Sequence, residues 1–222
     1  MIQKKFLPKR VLGIFAHADD ELIGAGGLLL KNKALGGDSK VICVVGANSE
    51  REQELLKFSQ KSEIGVLALN YEVGSFNNNF QSLLSVLKAE IISFQPDYVV
   101  THRASFDYHQ DHVQLSNLVK QAALSAQTPK NYHRVEGILY TETHSLHPEV
   151  HIFVDTSDYL DIVLDLMKIH DSQNKKNNNY YLDLIQYKSQ LRGLQAGCSF
   201  AEAYSYEPLS LVAAFKRENI GK

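Results

Sequence analysis

His17, Asp19 and Asp20 stand at the end of an apolar run, V-L-G-I-F-A, and a second cluster, H-Q-D-H, places His109, Asp111 and His112 together 92 positions after His17. His17 and Asp20 are three residues apart, so a turn into a helix after the run lets both side chains face one point, and that point could hold a metal ion. Asp19 lies between them and must point elsewhere. It is a carboxylate beside the metal position without being a ligand, free to move protons. Imidazoles and carboxylates with no cysteine near either cluster suit zinc held by three protein ligands and one exchangeable water, whereas a structural zinc site wants four ligands, usually with thiolates. Zinc brings the pKa of its water from about 15.7 to roughly 7 and can polarise a carbonyl. Asp19 could take the proton of that water, and the imidazole left over would stabilise an oxyanion or protonate a leaving amine, with Asp111 as its candidate orienter. The residues alone leave open which of His109 and His112 binds the metal.

Strands and helices must carry these groups to one place. Residues 11–16 predict a buried strand, followed by a helix over about 21–35 that begins with Gly24, Gly26 and Gly27 and ends at Gly36 and Gly37. The glycines are not a dinucleotide-binding loop, because H-A-D-D occupies the first strand turn where G-x-G is needed. K-V-I-C-V-V-G at 40–46 predicts a second strand, Ser49 caps a helix over 50–64, and 66–69 read as a short third strand. Leu83, Leu84, Leu87, Ile91 and Ile92 recur at helical spacing before Pro96. D-Y-V-V-T at 97–101 is a fourth strand, with a helix over 113–126 and a fifth strand over 137–141. A sixth strand at 151–154, helices around 159–169 and 181–194, and a solvated Asn- and Lys-rich loop at 175–179 complete the chain.

Alternating strands and helices predict an α/β, Rossmann-like three-layer fold with a mainly parallel sheet. In the commonest doubly wound order, 3-2-1-4-5, strands one and four are neighbours and a crevice opens at their C-terminal ends. Both polar clusters follow those ends, so they should converge there. His144, one step past the fifth strand, belongs to the same rim and with Glu142 is a candidate substrate contact. Glu21 reads as a helix-start carboxylate, and His170 and Arg192 as helix-end and packing groups.

The chain of 222 residues carries 23 Lys plus Arg against 25 Asp plus Glu, a formal charge of −2. No basic field argues for nucleic acid or an anionic membrane, and the expected partner is a small molecule. The basic start, Lys4, Lys5, Lys9 and Arg10, precedes an apolar run too short for a signal peptide, and no 18-residue apolar stretch occurs, so a cytoplasmic location is expected. One domain over 1–222 accommodates the length, and homo-oligomerisation stays open. Cys43 and Cys198 are expected as two buried thiols.

A-H-A-D-D-E at 16–21 and H-Q-D-H at 109–112 resemble the A-H-P-D-D-E and H-P-D-H motifs of the PIG-L / LmbE-like zinc-dependent deacetylases. That family includes N-acetylglucosaminyl-phosphatidylinositol deacetylase and the mycothiol and bacillithiol pathway deacetylases. T-H at 101–102, R-E-Q-E from Arg51, H-D-S-Q at 170–173 and R-G-L-Q-A-G-C-S-F-A-E-A-Y from Arg192 are similar to family segments in the same order. The resemblance implies a zinc-dependent N-deacetylase of N-acetylated amino sugars or their conjugates, with iron, cobalt or manganese as alternative metals. It implies His17, Asp20 and His112 as ligands, Asp19 as general base, His109 as the group serving oxyanion and leaving amine, Asp111 supporting His109, and Arg51 contacting the sugar. Ala18 and Gln110 replace the motif prolines, neither of which carries a functional side chain. Two rivals remain: an amidase acting on a larger amide such as a thiol-sugar conjugate, and a non-catalytic sugar- or nucleotide-binding module.

Overall fold

In the computed structural model, which describes residues 9–46, 49–127 and 134–209, seven strands form one sheet in the order β3-β2-β1-β4-β5-β7-β6. Lys4 and Lys5 of the basic start lie outside the described residues. The strands are β1 (Arg10–Phe15), β2 (Asp38–Val45), β3 (Gly65–Tyr71), β4 (Tyr98–His102), β5 (Gly137–Thr141), β6 (Ile152–Asp155) and β7 (Ala201–Pro208). The first five pair in parallel, while β7 runs antiparallel to both β5 and β6. This is the expected α/β fold with the 3-2-1-4-5 order and its switch point between β1 and β4. β7 is additional: A-E-A-Y-S-Y-E-P extends the sheet beyond the six strands expected from the sequence.

β1 is apolar because both its faces are covered. Val11 and Phe15 pack with α1 (Asp20–Ala34), α2 (Glu50–Ser62), α5 (Leu160–Met167) and α7 (Tyr180–Ala196), whereas Leu12, Ile14 and Ala16 pack with α3 (Phe80–Phe94) and α4 (Gln110–Ala126). The two-residue period of a strand thus distributes one run between two cores. Full burial of Leu12, Ile14 and Phe15 contributes about 1.5–3 kcal/mol each. Leu83, Leu87 and Ile91 form the buried stripe of α3, while Ile92 of the expected stripe is 38 % exposed.

Two expectations need correction. The loop expected at 175–179 starts inside a short helix, α6 (Asp171–Lys176), whose last-turn lysines 175 and 176 answer the helix C-terminus. Cys198 is half-buried rather than buried, because it lies in the turn after α7; both thiols are free.

α1 is bent at Ala25 (φ −148°, ψ 15°), and side chains from the far end of the chain take up the groups that the bend releases. Lys188 Nζ donates to Ile23 O at 2.7 Å and Thr141 Oγ1 donates to Gly24 O. Beyond the bend, Glu202 of β7 accepts the Gly27 and Leu28 amides at 2.6 and 2.8 Å, acting as an N-cap supplied from another element. The approach is close: a Cβ on Gly27 would lie 2.4 Å from Thr156 Cγ2 and 3.0 Å from Glu202 Oε1. Only glycine lets the helix sit this near Thr156, the residue after β6, and the Glu202 carboxylate of β7. No described helix is long and apolar enough to cross a membrane.

Candidate metal centre

The ends of β1 and β4 are tied by side chains before any site residue is reached. Thr101 Oγ1 donates to Ile14 O at 2.8 Å, and His102 Nε2 accepts the Ala16 amide at 3.0 Å. Immediately beyond, His17 Nδ1, Asp20 Oδ2 and His112 Nε2 form a triangle with edges of 3.4, 3.3 and 3.3 Å. All three side chains are buried. A tetrahedral ion with ligand bonds of about 2.0–2.1 Å needs donor separations of about 3.3–3.4 Å, so the three atoms fit one small cation.

The supporting contacts fit as well. A ligating imidazole offers one nitrogen and usually donates its other N–H to a carboxylate or carbonyl. His17 Nε2 lies 3.1 Å from Asp111 Oδ2, and His112 Nδ1 lies 2.7 Å from Asp107 Oδ2. The Asp107 and Asp111 side chains are 6 % and 1 % exposed. Gly74, at φ +76°, sends its amide to Asp111 Oδ1 at 2.9 Å, and the His109 amide donates to Asp107 Oδ1 at 2.9 Å. Both carboxylates are thus held in place. Burial opposes an imidazolium at His112, but Asp20 and Asp107 outweigh it and lift its pKa to about 10. The site's field favours positive charge. Burial likewise opposes the Asp20 carboxylate, yet His112 and His102 hold it well below the usual range.

Asp111 therefore departs from its expected partner. Its carboxylate orients His17, and only its backbone amide meets His109, donating to Nδ1 at 3.3 Å. At the first turn of α4 the side chain points across the crevice to β1, not back along the helix to the N-cap residue His109. With Nδ1 accepting, a neutral His109 carries its proton on Nε2 as a donor, and one of its ring nitrogens lies within 4.8 Å of nitrogens of His17 and His112. Burial first, then His112 and His17, lowers the His109 pKa and favours that neutral form.

Asp19 lies at φ 118°, ψ −31°, a conformation that costs a non-glycine residue about 1–3 kcal/mol. Its carbonyl accepts the Leu22 and Ile23 amides at 3.0 Å each, its amide donates to Glu21 Oε2 at 2.9 Å, and its Oδ1 accepts from Arg51 at 3.0 Å. Burial and neighbouring Asp20 push the Asp19 carboxyl up to about 7, against the pull of Arg51 and His170. Arg51 also donates to Ala18 O at 2.8 Å, so it reaches into the crevice and does not pair along its own helix.

His144 stacks on His112 with ring centroids 5.2 Å apart and planes 6° apart, and Tyr108 and Tyr181 lie against its ring at 5.4 and 6.0 Å. One ring nitrogen of His144 also lies within 4.8 Å of donor atoms on Asp20 and His112. Glu142 turns away: its carboxylate accepts from Arg192 Nε at 3.0 Å and from Arg192 Nη2, and both side chains are buried. Glu142 is a structural anchor, its carboxylate committed to Arg192 and to the His147 amide.

Sequence reasoning passed over Asp107 and His102. Asp107 sits within the same D-Y-H-Q-D-H string as His112, and spacing gives no reason to prefer it to Asp111 as an imidazole partner. His102 ends β4, and its position in T-H was the available signal. It stacks on His112 at 3.7 Å, but with Nε2 taken by the Ala16 amide and Nδ1 3.0 Å from Thr143 Oγ1 it has no lone pair for a metal. Burial, then His112, pushes its pKa well below the usual value.

Several solved structures share this architecture. N,N'-diacetylchitobiose deacetylase from Pyrococcus horikoshii superposes with a TM-score of 0.74 at 22 % identity, covering 90 % of this chain and 84 % of the other. A conserved protein from Thermus thermophilus gives 0.79 at 21 % identity, with 96 % and 100 % covered. The 4-carboxy-2-hydroxymuconate hydratase GalB from Pseudomonas putida gives 0.75 at 19 % identity over the same shares. No curated protein matches the chain. The sequence profile of PIG-L, described as GlcNAc-PI de-N-acetylase, matches residues 12–123, just over half of the chain, from β1 through most of α4. With both motif clusters inside that span and facing each other across the crevice, the chain belongs to the PIG-L family.

Proposed function

We propose that this protein is a zinc-dependent N-deacetylase that removes the acetyl group from an N-acetylated amino sugar or its conjugate. The observation that carries this is the triangle of His17 Nδ1, Asp20 Oδ2 and His112 Nε2, whose edges suit one tetrahedral cation and whose two imidazoles are each backed by a buried carboxylate. When bound, a divalent cation supplies a Lewis acid and makes nearby water more acidic. Asp19 takes the proton as water attacks the acetyl carbonyl, and Arg51 steadies its carboxylate. His109 offers Nε2–H to the developing oxyanion and then to the departing amine. His144 and Arg51 flank the approach and contact the sugar. Membership in a family described as a GlcNAc-PI de-N-acetylase and likeness to a chitobiose deacetylase support the substrate class.

Metal-loaded protein screened against N-acetyl sugar conjugates, with free primary amine as the readout, tests this. Bulky N-acyl analogues in the same screen separate the amidase rival. Likeness to a hydratase over that protein's full length favours including an unsaturated carboxylic acid, read by loss of its ultraviolet absorbance. Amine release abolished by Asp19→Ala supports the deacetylase; undiminished release in that variant removes Asp19 as base.

A further inference from the structure

Behind Asp19 lies a second set of buried titratable side chains that the chemistry above does not use. Glu21 and His170 are both 0 % exposed. Glu21 Oε2 accepts the Asp19 amide at 2.9 Å, and Glu21 Oε1 lies 2.8 Å from His170 Nε2. A carboxylate offers only acceptors, so His170 donates from Nε2. His170 comes from the segment that opens α6, 149 residues along the chain. That segment is pinned to α2 through Ser172, whose amide and hydroxyl reach the Glu54 carboxylate at 2.7 and 2.8 Å.

We propose that Glu21 and His170 are positioning residues which hold Asp19 in its positive-φ conformation, keeping its carboxylate beside the metal centre and uncoordinated. The inference rests on the reading of Asp19 as the base. A non-glycine residue stays in such a conformation only where its surroundings over-determine it. The Asp19 carbonyl is fixed by the start of α1 and its carboxylate by Arg51, so Glu21 supplies the third hold, on the amide. Glu21 itself does not face solvent as a carboxylate merely answering a helix dipole would; both of its oxygens are spent on Asp19 and His170. His170 Nδ1 has no hydrogen-bond partner among the described residues, with Glu54 4.0 Å away, so the bond to Glu21 is what orients the ring. The C-terminal third of the chain thus acts on the base without touching it.

The test compares Glu21→Ala, Glu21→Gln and His170→Ala with Asp19→Asn in the full-length, metal-loaded protein. Glu21→Ala should lower kcat about 100-fold, the scale of a small misplacement of a reacting group, with KM unchanged. Its zinc affinity should stay within about threefold of wild type, because Asp20 is untouched and both imidazole ligands keep their carboxylate partners. Glu21→Gln, which keeps an acceptor for the Asp19 amide, should recover much of the loss, and His170→Ala should fall between. A crystal structure of Glu21→Ala should show Asp19 at negative φ, a readout independent of any substrate. Asp19 remaining at positive φ there, or an activity loss matched by loss of bound zinc, overturns the proposal. An active Asp19→Asn overturns the deacetylase reading instead, whereas an inactive Asp19→Asn beside a fully active Glu21→Ala refutes only the clamp.

Discussion

Asp107→Asn isolates the support of one proposed ligand, His112, without changing side-chain size. Asp107 uses both oxygens, Oδ2 at 2.7 Å from His112 Nδ1 and Oδ1 on the His109 amide at 2.9 Å, and its side chain is 6 % exposed. Asparagine has one acceptor and one donor, so one of the two bonds must fail. If its oxygen faces His112, its NH2 opposes the His109 amide and leaves a buried donor unsatisfied, at about 1–3 kcal/mol. If its NH2 faces His112, Nδ1 must become the acceptor and the imidazole proton moves to Nε2, the nitrogen in the triangle, which then cannot ligate. Either outcome weakens metal binding, and loss of such a supporting carboxylate typically lowers affinity 10–100-fold, about 1.4–2.7 kcal/mol. Competition for Zn2+ against a chromophoric chelator measures this directly. Asp165→Asn, at a surface pair with Lys168, is the control and should change nothing. Zinc affinity of Asp107→Asn within about twofold of wild type, with His112→Ala equally unaffected, would mean that His112 is not a ligand, and the triangle would lose its meaning.

Three further outcomes test the scaffold and its response to pH. Gly27→Ala in a helix ordinarily stabilises by about 1 kcal/mol, but the Cβ contact 2.4 Å from Thr156 reverses the sign, and urea unfolding should show a loss of about 1–3 kcal/mol. Arg192→Leu leaves the Glu142 carboxylate buried and unpaired, and should cost about 3–5 kcal/mol by the same measurement. His147, whose Nδ1 lies 3.0 Å from Ser205 Oγ, has its pKa lowered to about 4 by burial first and then by Arg103, Lys188 and Arg192. Folding therefore disfavours its proton: its contribution is intact above pH 6.5 and is lost as pH drops toward 4, the loss amounting to roughly 3 kcal/mol at the lower limit. His147→Gln should flatten the acid limb of stability between those pH values, and an unchanged limb would count against the shift.

The sequence alone was enough to expect the order of the first five strands, because a strand buried on both faces needs a continuous apolar run, each crossover helix needs its own stripe, and 3-2-1-4-5 is the commonest doubly wound order. Runs at 11–16, 40–46 and 97–101 meet the first requirement, and the stripe at Leu83, Leu87 and Ile91 the second. Convergence of His17 and Asp20 with His112 then followed from topology, since parallel neighbours deliver their C-terminal ends to one edge. Tertiary structure decided which carboxylate serves which imidazole. Asp107 and Asp111 flank His109 in one string, and backbone direction within a non-repeating loop, unlike helix or strand periodicity, cannot be read from spacing; the observed turn sends Asp107 to His112 and Asp111 to His17. It also decided that Glu202 of β7 caps the bend in α1 and that His170 reaches Glu21, contacts 174 to 175 and 149 residues apart. Such contacts exist only once the antiparallel edge and the C-terminal helices have docked, so no local pattern announces them.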